Sequence, residues 1–345
     1  MTTATKTLTR RKYTRLFSYR KGRGHGSNDD ATTWSSEPAP KQELLSFEQA
    51  QPYEQDNPFI LFGYRPQTQS YAGSLATLFA IHNQTVNIWS HLIGSILYGI
   101  SGLYFFWHHA SLYASTFSTG DAIAFSCFFA AVVVCLSLSV GFHLFANHSK
   151  EIHDRHLFLD FLGILGLIWG SWVPGIYYGF YCQRDVARFY WALIGAITSA
   201  CTLMLILPHL RTPTYKPLRT TLFIALGLSG ILPMASAART YSIPHAAARM
   251  GWWFFVLEGV FYVTGVALYA TKFPERCWPG RFDFVGASHQ GFHVFVLFGA
   301  GAHLAGVLRA FAFNHAPETR VCAGFGGVAG EFVAAAAAAA AGTVA

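Results

Sequence analysis

"VGASHQGFHVFVLFGAGAHLAGVL", residues 285–308, holds no Lys, Arg, Asp or Glu, and places His289 and His293 four positions apart near its start. A run of this length crosses a hydrocarbon core of about 30 Å as a helix. Outward from it, six further charge-poor stretches precede it: Ile88–Trp107, Ala122–Phe145, Leu157–Phe180, Phe189–Leu210, Thr220–Ala238 and Trp252–Ala270. None contains Lys or Arg, and only Asp160 and Glu258 are acidic. The whole chain of 345 residues is 52% hydrophobic and 12% charged. A soluble domain carries roughly 25% charged residues, so this composition cannot cover a water-facing surface. The 31 Phe, 9 Trp and 16 Tyr suit lipid-facing packing and interfacial belts. The reading is an all-α bundle of seven transmembrane helices in a multi-pass protein of the plasma membrane or an endomembrane.

The segments outside the spans are of different kinds. Residues 1–57 read as a disordered basic tail without a signal peptide, with eight Lys or Arg and no acid before residue 24. Residues 58–86 read as an amphipathic lead-in, 87–313 as the seven-transmembrane domain, and 314–345 as a Gly/Ala-rich low-complexity tail. Eighteen Lys and Arg fall on the side of the N-terminus and six on the other. The positive-inside bias therefore places the N-terminus in the cytosol and the C-terminus outside. Six cysteines show no CxxC or framework spacing, so no disulfide is assigned. Pro174, Pro208 and Pro233 are expected to kink or end helices. No P-loop, GxGxxG or GxSxG stands in a fitting context, and nothing suggests nucleic acid.

Alternation of the helices then brings polar residues to one depth. Span two ends in "LSLSVGFHLF", with Ser139 and His143 four apart, and runs towards the cytosol. Spans three and seven run back from it and carry Asp160, His289 and His293 near their starts. Residues at i and i+4 share a helix face, so one ion can bridge His289 and His293. Three histidines suit Zn²⁺ and leave a fourth position for water. Zinc lowers the pKa of that water towards about 7. Asp160 can then orient it or act as general base, and Ser139 can hydrogen-bond to it or to a developing oxyanion. The competing reading is histidines that hydrogen-bond across helices and an Asp160 that packs near a helix N-terminus. Glu258 reads as buried and partnered, with a substrate contact as the alternative, and His303 as a helix-contact residue. His82, His91, His108, His109, His148, His153 and His156 lie near span ends or loops, where histidine is cheap.

Four ordered motifs, "HNQTVNIWSHLIG" (82–94), "SVGFHLF" (139–145), "LDFLGILGLIWGSWVPGIYYGFYC" (159–182) and "FPERCWPGRFDFVGASHQGFHV" (273–294), resemble the progestin and adiponectin receptor family over roughly residues 58–313. That family includes adiponectin receptors, membrane progestin receptors, fungal zinc-homeostasis proteins and, more distantly, bacterial hemolysin III proteins. The resemblance implies a cytosolic N-terminus and an intramembrane zinc near the cytosolic face, held by His143, His289 and His293, with Asp160 holding the zinc-bound water and Ser139 before the first ligand. The same residue pattern is similar to alkaline ceramidases. It implies zinc-dependent hydrolysis of a ceramide-like lipid to a fatty acid and a sphingoid base. The alternative is a membrane receptor or zinc-homeostasis regulator with a mainly structural zinc, whose partners include an extracellular protein or a steroid. One departure is Gln84, where the family commonly has Glu; Gln84 is read as lying outside the zinc shell.

Overall fold

The computed structural model describes residues 43–211 and 213–316. Strands β1 (Leu45–Ser46) and β2 (Phe62–Tyr64) pair antiparallel, Leu45 opposite Tyr64. A short helix α1 (Tyr71–Ala76) follows, then α2 (Thr85–Leu112), α3 (Thr119–Phe145), α4 (Lys150–Gly179) and α5 (Arg184–Ile206). The chain goes on through α6 (Lys216–Leu228), α7 (Ile231–Tyr241), α8 (Ile243–Met250), α9 (Trp252–Thr271) and α10 (Ser288–His315). Among the described residues, seven helical segments are long and apolar enough to cross a membrane: α2, α3, α4, α5, residues 221–241 of α6 and α7, α9 and α10.

Several helices outrun their apolar windows because polar residues start them. Ser118 Oγ accepts from Asp121 N at 3.3 Å at the head of α3, and Ser149 Oγ from Ile152 N at 3.4 Å at the head of α4. Each satisfies a helix N–H that has no partner within its own helix. The fifth crossing, expected as one helix, is broken between α6 and α7 at Ser229 and Gly230. Pro233 explains the break, since it has no N–H and its ring meets the carbonyl four residues back. Pro208 opens a 3₁₀ turn just after α5, whereas Pro174 sits inside α4 without ending it.

The core lies where α3, α4 and α10 meet, around Phe125, Phe128, Leu136, Tyr178 and Phe311. Helix α3 packs most extensively on α4, and α9 on α10. Gly251, at φ +69°, joins α8 to α9 against α10; a Cβ there would lie 2.8 Å from Gly306 Cα. Only glycine fits such a left-handed joint at backbone contact. Cys182, after α4, is disulfide-bonded, against the expectation of no disulfide. Cys127, Cys135, Cys201 and Cys277 are free.

Candidate metal centre

The polar hexapeptide "SHQGFH" at the head of α10 divides its work. Ser288 N donates to Glu275 Oε2 at 2.8 Å, and Ser288 Oγ donates to Glu275 Oε1. Gln290 Oε1 accepts from Gly286 N at 2.6 Å, while Gln290 Nε2 donates to Phe284 O at 3.0 Å. Ser288, Gln290 and Glu275 thus close the helix terminus, where lipid offers no partner for a free N–H. Their role went unread in the sequence, although Glu275 stands only 13 residues before Ser288. His289 and His293 are left for the centre.

His143, from the last turn of α3, meets them. One ring nitrogen from each of His143, His289 and His293 lies within 4.8 Å of the other two, a grouping that could hold a metal ion. Their tautomers follow from the partners. His293 Nδ1 is 3.1 Å from Asn87 O, and a carbonyl only accepts, so Nδ1 carries the proton. Gln84 Oε1 takes a bond from Asn87 Nδ2 at 2.7 Å and stands 2.8 Å from His143 Nδ1, which therefore donates. Both histidines keep a lone pair on Nε2. His143 Nε2 lies 3.3 Å from His289 Nε2. Two nitrogens on a tetrahedral zinc, each 2.0–2.1 Å from it, stand about 3.3 Å apart, so the His143 and His289 pair has the spacing of two such ligands.

Helix α2 supplies the outer support. Gln84, Asn87 and His91, spaced i, i+3 and i+7, share one face towards the centre. His91 is 4% exposed, stacks on His293 with centroids 3.7 Å apart, and has neither ring nitrogen hydrogen-bonded. This corrects one expectation, since His91 is not a cheap boundary histidine; Gln84 stays outside the group that could hold an ion and touches one of its histidines. Polar residues at helical spacing in "QTVNIWSH" were the available signal. His82 is also fully buried, and burial, with help from Arg65, pushes it down to about 3. Arg65, one of the basic residues counted for orientation, is buried as a cap: it donates to His143 O at 2.6 Å and Leu144 O at 2.9 Å at the end of α3. A cation there complements the helix dipole. Burial lowers the Arg65 guanidinium to about 10, against the pull of Glu54.

The remaining candidates separate into two places. Asp160 on α4 interacts with Ser139 on α3, and neither is among the nitrogens that converge. Glu258 and His303 pair at 2.9 Å between α9 and α10, about ten residues along α10 from His293, so they are not part of the centre. A cavity of about 180 Å³ reaches His289 from Asp56, Asn57, Tyr269 and Lys272.

The haemolysin-III-related family matches residues 79–304. The chain is 36% identical to the adiponectin receptor protein of Drosophila melanogaster, over 73% of this chain and 56% of that one. It is 33% identical to the ADIPOR-like receptor IZH2 of Saccharomyces cerevisiae, over 79% and 85%, and 36% identical to heptahelical transmembrane protein 1 of Arabidopsis thaliana, over 78% and 81%. The chain spans 56% of the fly relative and 60% of a Caenorhabditis elegans relative, progestin and adipoQ receptor-like protein 1. With its seven apolar helices, it is a multi-pass integral membrane protein.

Proposed function

We propose, on the premise that this chain belongs to the haemolysin-III-related family, that it is a zinc-dependent hydrolase of ceramide-like lipid amides inside the membrane. The observation that carries the reading is the convergence of three imidazoles; Asp160, paired with Ser139, is the acid that the reading adds to them. His143, His289 and His293 would hold the ion. Bound there, zinc would supply a Lewis acid for the amide carbonyl and an acidified water near neutral pH. The Asp160 carboxylate takes the proton that the attacking water loses and returns it to the leaving amine. Ser139 Oγ–H donates to that carboxylate and fixes its direction. The products are a fatty acid and an amine.

The N-terminus and the centre face the cytosol and the C-terminus faces outside. The excess of basic residues on the N-terminal side supports this. So does the disulfide at Cys182, since it follows the end of α4 remote from the centre and disulfides persist in oxidising compartments. Protease added outside intact cells should remove a C-terminal tag and spare an N-terminal one; the reverse result inverts the topology.

The deciding experiment incubates purified protein with ceramide in detergent, with and without chelator, and measures fatty-acid release. Asp160→Asn should keep its zinc and melting temperature while losing about 10²–10⁴-fold in rate. A wild type no faster than its chelated control ends the hydrolase reading. An Asp160→Asn that melts early and loses zinc makes the acid structural. The second reading then moves ahead: a receptor or zinc-homeostasis regulator, favoured by relatives named adiponectin receptor and ADIPOR-like receptor.

A further inference from the structure

Gln84 holds a metal-facing histidine with the weaker of two acceptors that fit its place. Its Oε1 is the shared acceptor for His143 Nδ1–H at 2.8 Å and Asn87 Nδ2–H at 2.7 Å. An amide oxygen carries a partial charge. A carboxylate there would carry a full one, and charge-assisted hydrogen bonds are roughly twice as strong as neutral ones. The difference reaches the metal through the ring. An acceptor that draws on Nδ1–H raises the basicity of Nε2, the atom turned to the centre, and an anionic acceptor raises it most.

The support of His293 is neutral as well. Its Nδ1–H goes to the backbone carbonyl of Asn87 at 3.1 Å, and its ring face lies on His91. Among the described residues, no carboxylate hydrogen-bonds any of the three histidines. Helix α2 therefore aims the ligand atoms without adding negative charge to them. Aim and charge are separate contributions to affinity, and this outer shell provides only the first.

We infer that Gln84 is a positioning residue that keeps the centre exchangeable. It fixes Nε2 of His143 as the ligand atom and withholds anionic support, so that occupancy follows free zinc instead of staying permanent. The inference rests on the metal reading of His143, His289 and His293.

Purified full-length protein in detergent, titrated with zinc against a fluorescent chelator, gives the affinity; transfer to excess chelator gives the release rate. Outer-shell changes typically alter metal affinity about 10–100-fold, so Gln84→Glu should bind about 10-fold more tightly and release correspondingly more slowly, and Gln84→Met should bind about 10–100-fold more weakly. The Co²⁺ absorption spectrum of Gln84→Glu should match wild type, since the ligand set is unchanged. If Gln84→Met does not fold, Gln84→Glu decides alone. Affinity and release of Gln84→Glu within about twofold of wild type overturn the inference and leave the metal reading intact. A wild type that binds no zinc overturns both.

Discussion

The two ends of α10 each bury histidine against other helices, with opposite results. At the end that carries His315, Asp121 is fully buried. It accepts from Tyr178 Oη at 2.7 Å, Ser118 N at 2.7 Å and Ser118 Oγ at 2.6 Å, and His315 Nε2 lies 3.2 Å away. His315 Nδ1 has Thr116 Oγ1 at 2.8 Å. Each polar atom of that cluster has a partner within the chain. At the other end, His143 and His289 present ring nitrogens to each other at 3.3 Å, and His91 has neither nitrogen hydrogen-bonded. A closed network rigidifies a bundle. Three imidazoles whose nitrogens converge in this way can hold a cation. Both ends bury histidine, but only the end at His315 supplies a carboxylate that closes its hydrogen bonds.

The comparison breaks most cleanly on reciprocal variants. His289→Ala/His293→Ala should fall from about one zinc per chain to almost none, while His315→Ala keeps its zinc, both read by metal analysis of purified protein. Asp121→Ala should likewise keep the zinc yet lose about 3–5 kcal/mol, as removing one partner of a buried network strands the others. Thermal melting in detergent checks this. Equal zinc in wild type and the double histidine variant, or zinc lost from Asp121→Ala as from the double variant, erases the distinction between the two ends.

A smaller effect sharpens the description of the segment that leans on the centre. Burial lifts Glu54, outside the spans, from its usual range to about 7, opposed by Arg65. A carboxylate raised in the folded state binds more protons there than in the unfolded chain. Its contribution therefore favours folding at low pH and weakens as pH rises from about 4.5 to about 7. Glu54→Gln should remove that fall. Hydrogen exchange of residues 43–64, compared between the two proteins across this window, reads it directly. Parallel pH profiles would show that Glu54 does not carry the effect.

Hydropathy alone marked the crossings, because a lipid core demands a long uncharged run whatever packs beside it. The i, i+4 histidines of α10 and their meeting with His143 were likewise readable from the sequence, since helix pitch and alternation are local facts. The rotation of each helix about its axis is not local. It brought Gln84, Asn87 and His91 of α2 onto the histidines, turned Arg65 into the cap of α3, and paired Glu258 with His303. The break between α6 and α7 lies within an unbroken apolar run and shows only in the backbone, although Pro233 hinted at it. Sequence set which residues reach a given depth. Tertiary structure decided which of them face one another, because an interhelical hydrogen bond depends on facing directions and separation between chain segments that no single helix encodes.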